Sequence, residues 1–73
     1  MDYPKPKGDP PIMRYFDYGH LPEELASVSA PFAAVARRMV DTLPAGPELS
    51  AGLRKLLEAK DCAVRAALPE DGA

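Results

Sequence analysis

The stretch LRKLLEAKDCAVRAAL, Leu53 to Leu68, decides the fold. At about 100° per residue Leu53, Leu56, Val64 and Ala67, with Leu49 before them, fall on one stripe, as in an amphipathic helix with one packed face. Arg54, Glu58, Asp61 and Arg65 fall on the far side, where charges remain solvated. Lys60 breaks the division, because it lies inside the stripe between Leu56 and Val64. An ammonium on a packed face needs a partner, since burying it unpaired is costly enough to shed its proton. Two roles fit Lys60: an ion pair with Asp17, Asp41 or Asp61, or a contact to an anionic ligand held between subunits.

Working outward, Pro47 opens this helix, Glu48 complements its N-terminus and Pro69 stops it. Ahead of it, Pro44-Ala45-Gly46-Pro47 forms a tight connector. Upstream, Ser29 reads as the N-cap of a first long helix with Pro31 in its opening turn. Phe32, Val35, Ala36, Met39, Val40 and Leu43 give that helix an apolar face, with Arg37, Arg38 and Asp41 outside. A connector this short makes the two helices antiparallel neighbours. Leu21-Pro22-Glu23-Glu24-Leu25 reads as a separate helical turn, and Arg14 to His20 as a brief extended aromatic segment ended by Gly19. The expected fold is all-α: an antiparallel two-helix hairpin preceded by a short aromatic segment and a helical turn. Its domain spans residues 14–68, between a flexible proline-rich leader over 1–13 and a frayed tail over 69–73.

Composition adds a constraint. Two helices from a 73-residue chain bury too little apolar area to offset chain entropy unaided. Cys62 is the single cysteine and His20 the single histidine, so neither an internal disulfide nor a zinc set can supply the difference. Assembly into a homo-oligomer is the expected remedy. The formal charge of −2 lacks the basic excess of a DNA or RNA polymer binder. No apolar run approaches a membrane span of roughly 20 residues, and the N-terminus has no apolar core of a secretion signal. With a free thiol, this points to the cytoplasm and away from the membrane.

Catalysis is not expected. His20 lacks a nucleophile partner at a recognisable spacing, Gly46 and Gly52 form no phosphate loop, and Glu23 and Glu24 diverge on successive helical positions. No cofactor or metal is implied. The aromatic segment is more informative: Tyr15, Phe16 and Tyr18, flanked by Arg14 and His20, offer faces for base stacking and donors for phosphate. Alternatively, Phe16 and Tyr15 cover the open end of the hairpin core, leaving Tyr18 at an exposed turn. Arg65 either pairs with Asp61 at i, i+4 or holds a phosphate or a guanine edge.

Phe16-Asp17-Tyr18-Gly19-His20-Leu21-Pro22, followed by two helices ending in Leu56-Leu57-Glu58-Ala59-Lys60-Asp61-Cys62-Ala63-Val64-Arg65-Ala66-Ala67, resembles a phage family of helical-hairpin proteins. That family includes the anti-CBASS cyclic-nucleotide sponges and the hairpin part of Thoeris anti-defence sponges. The resemblance implies a non-enzymatic protein of the host bacterial cytoplasm that sequesters cyclic oligonucleotide immune signals between protomers, commonly as a hexamer. The ligand would be a cyclic di- or trinucleotide or a cyclic ADP-ribose isomer. It further implies an aromatic ahead of the first helix that stacks on a base, with Tyr18 nearest and Phe16 second, and a ligand contact from Arg65. His20 and Lys60 complete the candidate ligand-binding set. Some sponges carry a lysine within the first long helix; here that helix has only Arg37 and Arg38. The competing expectation is a small oligomeric structural or protein-interaction module without a nucleotide ligand.

Overall fold

The computed structural model describes residues 8–68. The expected tail over 69–73 and the first seven residues of the leader lie outside the described residues. Two long helices, α1 (Glu23–Thr42) and α2 (Pro47–Ala67), pack as a hairpin, and a 3₁₀ helix, η1 (Pro11–Phe16), lies against both. The connector over residues 43–46 is too short for any but an antiparallel return, and Met39 of α1 lies against Gly52 of α2.

The second helix has the expected bounds. Gly46 precedes Pro47, its carbonyl accepts the Ser50 N–H at 3.0 Å, and Leu68 leaves the helix with its N–H still bonded to Val64 and Arg65. Proline at the first position loses nothing there, because that N–H has no intrahelical acceptor.

The first helix begins earlier than its sequence signals. Ser29 is not an N-cap; it lies buried inside a helix that starts at Glu23, with Pro22 in the capping position and its carbonyl accepting the Ala26 N–H at 2.8 Å. The expected helical turn at Leu21–Leu25 and the expected long helix are therefore one element running through Pro31. Proline in a helix interior costs about 3 kcal/mol, through a missing N–H and a clash with the preceding turn. Leu25, Ala26 and Val28 are half-buried and Ser29 fully so, and this packing holds the first two turns in line.

Around the core the segment before α1 also departs from expectation. Met13 to Phe16 are helical, not extended. Residues 8–13, expected in a free leader, are attached to the domain: Ile12 and Met13 pack on the core and Asp9 pairs with Arg37. Gly8, at φ 83°, takes the left-handed conformation that favours glycine at this turn into η1. Among the described residues the fully buried hydrophobic side chains are Phe16, Ala36 and Leu53, one from each element. Ile12, Phe32, Met39, Val40, Leu49, Leu56 and Leu57 surround them, partly covered. No helix among the described residues is long and apolar enough to cross a membrane.

Candidate ligand cleft between the aromatic segment and the last helix

The end of η1 is fixed to α2 by Lys60. Its side chain is 12% exposed, its Nζ donates to the Tyr15 carbonyl at 2.8 Å, and it lies 3.3 Å from Asp61 Oδ1. A terminal carbonyl of a short helix lacks an intrahelical donor, and the ammonium supplies a charge-assisted one. Lys60 is therefore partnered where the apolar stripe left it exposed to desolvation, and Asp61 is the carboxylate it finds.

The turn that follows brings the chain back to α1. Asp17 Oδ1 accepts the Gly19 N–H at 3.1 Å, and the Leu21 N–H reaches the Tyr18 carbonyl at 3.1 Å. An aspartate bonding two residues ahead is a common turn former, and it leaves His20 exposed at the rim.

Between η1, this turn and α2 is an open cleft of about 340 Å³. It gathers Arg14, Tyr15, His20, Lys60 and Arg65, and its carboxylates are Asp17 and Asp61. Both carboxylates are engaged, one with the turn amide and the other with Lys60. Arg65 does not pair with Asp61; its Nη2 donates to Cys62 Sγ at 3.4 Å, a weak bond that leaves the guanidinium available to a stronger acceptor. Tyr15 is 53% exposed, and the Arg14 guanidinium lies over its ring 5.0 Å from the centre while donating to its hydroxyl at 3.1 Å.

The structure thus unites three of the five candidate residues, His20, Lys60 and Arg65. Phe16 is removed from the set, since at 1% exposure it is core and has no face for a ligand. Tyr18 is exposed but borders a different and larger groove of about 640 Å³, with Met13, Arg14, Ala30, Ala33 and Arg37. The aromatic that shares a cleft with His20, Lys60 and Arg65 is Tyr15. In η1, three residues per turn stack Met13 and Phe16 on the core face and leave Tyr15 outside, whereas the alternation of an extended segment would have put Phe16 on one face with Arg14 and Tyr18.

Arg37, on the outer face of α1 as expected, has a partner that spacing could not reveal. It donates to Asp9 through two 2.8 Å bonds and to Asp41 through one at 2.9 Å and two at 3.2 Å. The Arg37 guanidinium pulls the Asp9 carboxyl below its usual range, and the two carboxylates raise the arginine's own proton affinity. Among the described residues no three His, Cys, Asp or Glu side chains come together as a metal site would need. No family model, curated protein or solved structure matches this chain.

Proposed function

We propose that this chain is a non-enzymatic binder that sequesters a cyclic oligonucleotide signal in the bacterial cytoplasm, working as a homo-oligomer. The observation that carries the reading is the cleft in which a half-exposed Tyr15 ring stands among Arg14, Lys60 and Arg65. A nucleobase needs a flat apolar face, worth roughly 1–3 kcal/mol per stacked base, and its phosphate needs guanidinium or ammonium donors within reach. The cleft supplies both, with an apolar floor from Leu21 and Val64. Its volume falls at the low end of the roughly 300–1,000 Å³ of small-molecule sites, which suits one base–phosphate unit of a larger cyclic ligand. Assembly is supported by the small buried core and by Val35 and Leu43, which are 48% and 45% exposed.

Thermal denaturation against cyclic di- and trinucleotides and cyclic ADP-ribose isomers tests the reading. A bound ligand at 100 times its dissociation constant adds about 2.7 kcal/mol. At about 4–8 °C per kcal/mol for a domain this small, Tm rises by roughly 10 °C or more. The ligand should be recovered intact after denaturation. A panel in which no member moves Tm refutes the reading.

The second reading, a structural or protein-interaction module, is favoured by one feature. Met39, Leu43, Pro44, Pro47 and Leu49 line a mainly apolar groove at the hairpin turn, away from the basic cleft. It predicts assembly or partner capture that Leu43→Asp abolishes, with no nucleotide-induced shift.

A further inference from the structure

We infer that Arg14 makes the cleft select guanine over adenine, because a base stacked on Tyr15 would meet the Arg14 guanidinium edge-on. The inference rests on the nucleotide reading of the cleft and adds to it the identity of the base. Tyr15 is held at both ends: Lys60 Nζ grips its carbonyl at 2.8 Å, and Arg14 Nη2 bonds its hydroxyl at 3.1 Å. A half-exposed ring so held is a stacking surface whose orientation is set before the ligand arrives.

Arg14 also occupies part of that surface. Its guanidinium carbon lies over the ring, 5.0 Å from the centre, and the bond to the hydroxyl draws it toward that end. A base stacked on the remainder of the same face brings one edge within reach of the guanidinium N–H donors that the Tyr15 hydroxyl does not use. A guanidinium has five N–H donors and no acceptor. Guanine presents two acceptors, O6 and N7, along one edge, a match for the fork; adenine presents one acceptor and one donor there, which sets N–H against N–H. Arg65, across the same cleft, is left for the phosphate.

Calorimetric titration of the full chain with cyclic di-GMP and cyclic di-AMP, two ligands differing only in their bases, tests this. The expected result is a preference of roughly tenfold or more for cyclic di-GMP. Arg14→Ala should reduce the ratio to near one. Arg14→Lys should do the same, because it keeps the charge and loses the fork. Arg14 is exposed and its side chain bonds only Tyr15 among the described residues, so both variants should retain the helical circular dichroism of the parent. Equal affinities in the parent, or a preference that survives Arg14→Ala, overturns the inference and leaves the nucleotide reading standing. Binding of neither ligand by the parent overturns the inference, and it overturns the nucleotide reading as well when no other cyclic nucleotide stabilises the chain.

Discussion

Lys60→Met isolates the contribution of the ammonium on the packed face of α2. Methionine keeps an unbranched stem of similar length, so the apolar cover is retained and the charge is lost. The lost contacts are the 2.8 Å bond to the Tyr15 carbonyl and the 3.3 Å pairing with Asp61. A hydrogen bond from a charged donor contributes about 1.5–3 kcal/mol. Two effects reduce that figure here. Tyr15 is half exposed, so water can take over its carbonyl, and removing an ammonium that is only 12% exposed also removes its desolvation cost. The net destabilisation should be about 1 kcal/mol, or a fall in Tm of roughly 4–8 °C. Thermal and urea denaturation followed by circular dichroism measures it. Amide exchange at Asp17, whose N–H closes η1 on the Arg14 carbonyl at 3.3 Å, reports whether the loss is local. An unchanged or higher Tm with undiminished protection at Asp17 would refute the assignment of Lys60 as the fastener of η1.

Other outcomes follow from the same contacts. Leu53→Ala empties the centre of the core at a cost of about 2–5 kcal/mol, comparable to all that a core of this size supplies, so circular dichroism should find the variant largely unfolded. Ser29→Ala should raise the urea midpoint by an amount worth about 1 kcal/mol, because the buried Ser29 hydroxyl has no hydrogen-bond partner among the described residues and alanine is the better helix former. Gly52→Ala places a methyl 3.1 Å from Met39 Cε, the mobile end of a flexible side chain, so the helix-propensity gain of up to about 1 kcal/mol should prevail and Tm should rise. The Asp9 carboxyl, held low by Arg37, favours the attached state above the ordinary aspartate value of 3.8 and loses that contribution as pH falls through its lowered folded value. The Asp9 carboxyl resonance should therefore titrate below 3.8, and Arg37→Gln should return it to the ordinary value.

What could be read in the sequence was whatever depended on local periodicity. The bounds of α2 follow from Pro47, Pro69 and the leucine stripe. The hairpin follows from a connector too short for any other arrangement. Lys60 was identifiable as anomalous because the stripe around it is regular. The start of α1 was not legible, because Ser29 and Pro31 carry the residue chemistry of a helix start while tertiary packing of Leu25, Val28 and Ser29 overrides it. The site was only partly legible for a similar reason. Whether Met13 or Tyr18 shares the core face of Phe16 depends on η1 being helical, and no propensity in a proline-flanked aromatic run distinguishes that from an extended strand. The Asp9–Arg37 pair joins residues 28 positions apart, beyond any local pattern.

The crosspiece η1 is fastened near its beginning to one leg of the hairpin, by Asp9 on Arg37, and near its end to the other, by Lys60 on Tyr15. In mechanical terms it is the tie of an A-frame. The angle between the legs cannot open without stretching one of two polar fasteners, and acid can loosen the Asp9 fastener, whose carboxylate it neutralises, while the Tyr15 carbonyl has no such proton to gain. Acid should therefore change the splay of this molecule, through the leg that Asp9 holds, before it changes the helix content. A pull applied at the Tyr15 ring would be felt at both legs.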